Sequence, residues 1–474
     1  MRACRFGGGE DSGSWPAYIG ATIMHVRGLT IAALVLAALS GTLYWSNHHK
    51  AASSAAGLSS SDSAPPAPKM LTLKEEDISA VKVQKNGHQE VALAKDDSGK
   101  WQITGRQSLT ADQAEVSSMV SALASLSSER LVADKIDDLR QYGLAPAVLE
   151  VTVTTKDHKS HKLLLGDDTL ASSGVFAMLE GDPRVFTIAS YTKTSINKGI
   201  NDLRDKRLLT ADFDKISQLE LITKKDHLVF GRNKQEWQIL KPQPLRADNY
   251  QVEELVRKLR EAKMDLSGSD AGADQKKGGA GFASGVALAT VKVVGPAGMQ
   301  ELQIRKNKDD YYAKSSVVAG VYKVASDLGQ ALDKHLEDFR NKKLFDFGFD
   351  EPNKIEVHDG SKAYFFTKGG QDWWADGKKM DAASVQALID KARELSANKF
   401  VDSGFAKPVL DLTVSSNDGK RLEKVQISKD GDKYIAKRDN EAGLYELDSS
   451  AVSELQRAAS DVKAAAPATP ATKK

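Results

Sequence analysis

"SGKWQITG" (98–105) is a turn followed by a tryptophan in a short alternating run, and the chain returns to it as "KQEWQILK" (234–241) and "GGQDWWADG" (369–377). Trp101, Trp237 and Trp373 are each 136 positions apart, in a chain of 474 residues with only six tryptophans. Other stretches keep the same offset. "DLRDKRLL" (202–209) returns as "DFRNKKLF" (338–345), and "TADFDKISQLEL" (210–221) as "DFGFDEPNKIEV" (346–357). "LTADQAEV" (109–116) returns as "LRADNYQV" (245–252), and in a shortened register as "KMDAASV" (379–385). Fixed offsets over several segments are the mark of internal duplication, and they place three units at 71–212, 213–348 and 349–462.

Each unit reads as two halves. The first opens with alternating strands, "ISAVKV" (78–83), "EVALAK" (90–95) and "WQIT" (101–104), joined by turn residues such as Asn86-Gly87 and Ser98-Gly99. "ADQAEVSSMVSALASL" follows as a helix with Val116, Met119, Val120, Leu123 and Leu126 on one face, capped by Thr110 or Asp112. The second half runs through "VLEVTVTT" (148–155), "HKLLLG" (161–166), "VFAMLE" (175–180) and "VFTIAS" (185–190) to the helix-like "YTKTSINKGINDLRDKRLL" (191–209). The pattern predicts an α+β protein of three tandem repeats, each of antiparallel β-meanders packed by helices. In that frame Trp101 and Trp237 are core residues where a meander meets its helix. Trp373 and Trp374 point to opposite faces of a strand, which leaves one exposed.

Ahead of the repeats, Leu29 to Trp45 carry no charge and are flanked by Arg27 on one side and His48, His49 and Lys50 on the other. About 17–20 apolar residues cover a bilayer core, and Tyr44 and Trp45 fit an interfacial pair. Residues 29–46 are therefore expected to be a transmembrane anchor. A cleaved signal peptide, cut near "SSAA" (53–56), is the alternative, but its apolar region is normally about 7–15 residues. Arg2, Arg5 and Arg27 favour residues 1–28 as a cytoplasmic N-terminus, with translation starting at Met24. The small-residue and Pro-rich run 47–70 reads as a flexible tether, and 463–474 as a disordered tail.

Lys+Arg 66 against Asp+Glu 64 leave a formal charge of +2, which points away from nucleic acid as a partner. The single cysteine, Cys4, precedes the anchor, so the repeats have no disulfide, thiolate metal site or cysteine nucleophile. "KKGGAGFASG" (276–285) lacks the Gly-Lys-Ser/Thr ending of a phosphate loop and reads as a flexible connector. His158 and His161 in "DHKSHK" fall at a hairpin tip without a third ligand. "SKDGDK" (428–433) reads as a type I′ turn rather than a calcium loop. No Ser/His/Asp set or paired-acid arrangement stands out, so neither a catalytic residue nor a cofactor or metal is expected. The most chemically distinctive repeat is Asp202, Leu203, Arg204 and Lys206, matched by Asp338, Phe339, Arg340 and Lys342. It suits ion pairing between units, or part of a binding groove. Trp374, Arg204 and Arg340 are thus the candidate ligand or partner contacts.

The anchor, the tether, "WQI" after a meander, Tyr142, Gly143 and Leu144 ahead of "VLEVTV", and "DLRDKRLL" together resemble a bacterial family, domain of unknown function 4340. The third unit departs from it, with "SGFAKPVLDLTV" (403–414) and no "DLR" ending. The resemblance implies a membrane-anchored extracytoplasmic protein, in some members associated with gliding-motility-type ABC transport systems, and implies no catalytic residues. The expectation is a non-catalytic, single-pass accessory or scaffold protein of the bacterial inner membrane. Its large C-terminal domain would lie in the periplasm, beside ABC-type transporter subunits. A module binding envelope polysaccharide or peptidoglycan is the alternative, with Trp374 stacking on sugar faces.

Overall fold

The computed structural model describes residues 68–466, apart from 88–89, 106–107, 171–172, 235, 268–270 and 349–350. The expected cytoplasmic segment (1–28), anchor (29–46), most of the tether (47–70) and the end of the tail lie outside the described residues. Among the described residues no helix is long and apolar enough to cross a membrane.

The first sheet follows from period-two alternation. Every second residue of Leu149–Thr155 is buried, so one face of the strand meets the core and the other faces water. Strands β1 (Ile78–Lys85), β2 (Val91–Lys95), β3 (Trp101–Thr104) and β4 (Leu109–Thr110) form a meander, followed by helix α1 (Gln113–Ala124). Asp112 caps α1, its carboxylate accepting from the N–H groups of Ala114 and Glu115. Strand β5 (Arg130–Ala133) leads to a second meander of β6 (Leu149–Thr155), β7 (Ser160–Asp168), β8 (Gly174–Leu179) and β9 (Val185–Ala189). The meanders join through β1 and β6, giving the antiparallel order β4-β3-β2-β1-β6-β7-β8-β9-β5. Helices α2 (Ser190–Ile196) and α3 (Ile200–Leu203) close the second half. The Tyr-Gly-Leu motif sits ahead of β6. Gly143 has φ 64° and lies so close to Asp167 that a Cβ would come within 2.6 Å of its carboxyl carbon.

The second sheet repeats the plan with β10 (Gln218–Thr223), β11 (His227–Asn233), β12 (Glu236–Lys241), β13 (Leu245–Arg246) and helix α4 (Asn249–Arg260). Helix α5 (Ala271–Ser284) precedes β14 (Val286–Gly295), β15 (Gly298–Asn307), β16 (Asp310–Ser315) and β17 (Val321–Val324), which α6 (Ser326–Leu332) and α7 (Leu336–Phe339) follow. The third contains β18 (Pro352–Asp359), β19 (Lys362–Gly369), β20 (Asp372–Ala375), β21 (Lys378–Lys379), α8 (Ala382–Glu394) and β22 (Lys399–Val401). It ends with β23 (Pro408–Ser416), β24 (Arg421–Asp430), β25 (Lys433–Arg438), β26 (Leu444–Leu447) and α9 (Ser449–Ser460). Their orders, β13-β12-β11-β10-β14-β15-β16-β17 and β21-β20-β19-β18-β23-β24-β25-β26-β22, match the first, except that the second sheet lacks the strand equivalent to β5 and β22. Each sheet keeps its own apolar core, covered by its helices. The protein is therefore α+β, built from three antiparallel sheets.

Trp101, Trp237 and Trp373 are buried in the first, second and third cores, as the alternation requires. In the first two units the opening residue of the helix holds the tryptophan backbone: Gln113 Oε1 accepts from Trp101 N–H at 2.9 Å, and Asn249 Oδ1 from Trp237 N–H at 2.6 Å. The third unit has a shorter connection, and Met380 N–H donates to the Trp373 carbonyl instead.

Several expectations need correction. The helix read over 191–209 is two short helices, because Gly199 is extended between them. "KKGGAGFASG" belongs to helix α5 rather than to a flexible connector. Its glycines let the helix lie directly on β16 and β17, where a Cβ on Gly278 would meet the Val321 carbonyl and one on Gly281 the Tyr312 ring. Leu208 and Leu209, read as the end of the first unit, pack in the second core. Residues at both outer borders also pair. Lys69 bridges to Ser127, and Ala464, read as part of the disordered tail, bridges to Met380. At 431–432 only Gly431 takes positive φ, which gives a type II′ rather than a type I′ turn.

Candidate functional site

The repeated motif forms the joints between sheets, and each of its residues has a distinct place. Asp202 Oδ2 accepts from Gly199 N–H at 2.8 Å and Asp338 Oδ2 from His335 N–H at 2.8 Å, capping α3 and α7. Leu203 and Phe339 enter the cores of their own sheets. Arg204 and Arg340 bridge through their backbones to Ala111 and Ala247 of the sheet being left. Their side chains cross to the next sheet. Arg204 donates to the Tyr322 hydroxyl at 2.8 Å with its guanidinium 5.2 Å from the ring centroid, and Arg340 lies 3.5 Å from the Phe400 centroid. Both arginines are more than nine-tenths buried (8% and 9% exposed), where a flat, weakly hydrated guanidinium on an aromatic face is the favoured form of cation. Three residues on, Arg207 and Lys343 bridge to Lys263 and Ser396 of the following sheet.

Equivalent positions differ between the two joints. At the first, Gln300 Oε1 accepts from Thr210 N–H at 2.9 Å, and Ser315 Oγ donates to the Leu208 carbonyl at 2.5 Å. At the second, Glu423 Oε1 accepts from Asp346 N–H at 2.9 Å, and Arg438 donates to the Leu344 carbonyl. Thr110 corresponds to Arg246, which donates to Glu441 at 2.9 Å, Asp346 at 2.5 Å, the Lys343 carbonyl at 2.6 Å and the Tyr445 hydroxyl at 3.0 Å. Arg438 also meets Glu423 at 3.0 Å and Glu441 at 3.2 Å, and Arg421 meets Glu423 at 3.3 Å. Three arginines and three carboxylates thus occupy positions that hold Thr110, Gly298, Ser315, Thr210, Gln300 and Val318 at the first joint. Burial opposes the charge on Arg246, yet Asp346, Tyr445 and Glu441 outweigh it and raise its pKa further. Burial first, with Glu441 adding, pushes the Tyr445 hydroxyl up to about 12.

A cleft of about 1910 Å³ opens beside the first joint, between the first meander of sheet one and the β17 side of sheet two. Lys82, Lys85, Glu90, Lys206 and Asp265 give it a mixed-charge lining, with Arg204 and Tyr322 at its base. Among the described residues that line it there is no histidine or cysteine. Asp205 pairs with Arg207 at 2.6 Å within the joint segment. Burial opposes ionisation of Asp205, but its hydrogen bonds from Arg207 prevail and hold the carboxyl below its usual range. Such a surface can contact a polar partner.

The structure separates the three candidate contacts. Arg204 lines the cleft, Arg340 lies in the second joint, and Trp374 is 41% exposed on the outer face of β20. The indole of Trp374 leans over Gly369, at whose position a Cβ would sit 3.2 Å from the ring. Phe365, on the adjacent strand, projects from the same face. His158 and His161 lie at the β6–β7 hairpin, and among the described residues no group of three or more His, Cys, Asp or Glu is gathered for a metal ion. The charged cluster around Arg246 was not singled out in the sequence. Its one signal is "LRAD" standing where the first copy has "LTAD". On the first sheet, Phe186 occupies the position of Tyr322 and Tyr445, and the chain's own Arg184 covers it at 5.2 Å.

The family model described as "Domain of unknown function (DUF4340)" matches twice, over residues 101–278 and 237–413. The two matches begin at Trp101 and Trp237. No curated protein matches the chain. Among solved structures, a DNA polymerase sliding clamp from Pseudomonas aeruginosa is similar at 9% identity, over 80% of this chain and 92% of that one, with a TM-score of 0.17. A DnaN sliding clamp (DNA polymerase III subunit beta) from the same organism, bound to griselimycin, is 9% identical over 80% and 93% of the two chains, with a TM-score of 0.13.

Proposed function

The chain belongs to the DUF4340 family of domains of unknown function, and from its architecture we propose a non-catalytic scaffold that binds protein partners at a membrane. The observation that carries this reading is the use of the repeated motif. Arg204 and Arg340, its most reactive-looking members, are buried as pins between sheets. The shared strand order and the common offset support three tandem repeats of one ancestral unit. Residues 29–46 would anchor it in the bacterial inner membrane, and the tether would hold the sheets in the periplasm. The partners would be ABC-type transporter subunits, docking at the cleft beside the first joint. Crosslinking in membranes followed by purification should recover a permease and its ATPase, with recovery lost on reversing charge at Lys82 and Lys85. A chain isolated free of either subunit would overturn the proposal.

Phe365 and Trp374 on one outer face favour a second reading, an envelope glycan-binding module, since exposed aromatic rings suit the apolar faces of sugars. Sedimentation with peptidoglycan or envelope polysaccharide should fall for Trp374→Ala and Phe365→Ala. Equal binding by wild type and both variants would remove it.

A further inference from the structure

We propose that the first joint is a hinge and the second a lock, so that sheets two and three move as one block while sheet one rocks against it and changes the width of the cleft. Across the second joint, the Arg246 guanidinium from β13 donates to Glu441 at 2.9 Å and Tyr445 at 3.0 Å in the third sheet, and to Asp346 at 2.5 Å where the chain enters it. Arg340 adds its stack on Phe400, which itself lies 5.3 Å from Tyr445. A Cβ at Gly443 would come within 2.5 Å of Arg340 Nη2, so the guanidinium sits in a closely fitted slot.

Opening this joint would separate several charges in a largely buried setting and leave them unpaired, a costly change. The geometry of such a charge network is also strict, which favours one arrangement over many.

Across the first joint the corresponding crossing contacts among the described residues include Arg204 to Tyr322 and Asn201 Nδ2 to the Leu266 carbonyl at 3.4 Å. The Asp205–Arg207 ion pair lies within the linking segment and does not span the sheets. Among the described residues no ion pair spans this joint, so opening it disturbs one stacked guanidinium where the second joint would lose a network of six charged groups. The cleft places solvent-sized space beside that guanidinium already. Both linkers are clipped by the same pair of single bridges, Ala111–Arg204 with Arg207–Lys263 and Ala247–Arg340 with Lys343–Ser396, and both hold a few extended residues on which a rotation can turn, so the charge network is what sets the second joint apart. This inference concerns the motion alone and holds whatever occupies the cleft.

The test uses the full chain in detergent, with Cys4→Ser so that spin labels go only to introduced cysteines. One labelled pair, Ser98→Cys with Lys308→Cys, spans the first joint, and a second, Lys308→Cys with Asp432→Cys, spans the second; all three sites are exposed. Pulsed dipolar spectroscopy should give a broad or two-peaked distance distribution for the first pair and a narrow single peak for the second. Arg246→Thr, which installs the first joint's residue at the second, should broaden the second pair's distribution. Equal widths for the two pairs in the otherwise wild-type chain would overturn the proposal, and that comparison stands even if Arg246→Thr does not fold. A second-joint peak that stays narrow in a folded Arg246→Thr chain would equally overturn the assignment of the lock to this charge cluster.

Discussion

Trp237 and Trp374 show how differently one residue type can be held in this chain. The Trp237 ring is buried, its Nε1 donates to Glu253 at 2.7 Å, and its backbone N–H is held by Asn249. Trp374 has one ring face over Gly369 and much of the rest in water. Trp237→Ala should cost about 3–5 kcal/mol through the cavity it leaves. Trp374→Ala should change stability by no more than about 1 kcal/mol. Native-state hydrogen exchange over the second and third sheets would separate the two effects. A Trp374→Ala loss as large as that of Trp237→Ala would show that its lean over Gly369 is a structural contact of the first rank.

At the scale of elements, helix α5 distinguishes the second unit. Its contact face is made of glycines rather than large apolar side chains, so backbone meets backbone at Gly278 and ring meets backbone at Gly281. Gly281→Val should lift the helix from β16, destabilising that packing by about 1–3 kcal/mol. Faster amide exchange confined to 271–284 and β16–β17 would report it, and unchanged protection there would refute the contact. This helix also marks the limit of what the sequence tells. The meanders were legible because residues such as Val151 and Val153 alternate with polar neighbours, and α1 because its apolar positions recur at helical spacing. Helix α5 was not, because glycines leave no apolar stripe, and its many small residues read as a connector. The joint motif was legible as a repeat, and either an ion pair or a groove suited its composition. Only the fold shows that Arg204 reaches an aromatic ring 118 residues away. The charged lock at the second joint hid for a related reason. Arg246, Glu423 and Glu441 are far apart in sequence, and only a substitution between copies hinted at the first of them.

For the whole molecule, the two joints should respond differently to acid at one matched position, where the first has Asp205 and the second Asn341. The folded pKa of Asp205 lies below its unfolded value of about 4, so its pairing adds stability above that value, lost as pH falls through the folded pKa. Arg207 is half exposed, which limits the gain to about 0.5–1 kcal/mol. Against Asp205→Asn, the wild-type chain should be the more stable by that amount at pH 7, and the difference should vanish as the pH falls below about 4 and through the folded pKa. A constant difference between calorimetric or denaturant curves across that range would assign the effect to packing instead. Ala464 has a consequence at this same scale. It pairs with Met380 as Arg204 pairs with Ala111 and Arg340 with Ala247, yet it offers a methyl group where they offer a guanidinium. The opposite end has its aromatic socket stoppered by Arg184. Among the described residues, an arginine crossing to an aromatic ring is thus the device of the two joints within the chain, and the matching positions on the outer sheets are taken by Ala464 and by Arg184.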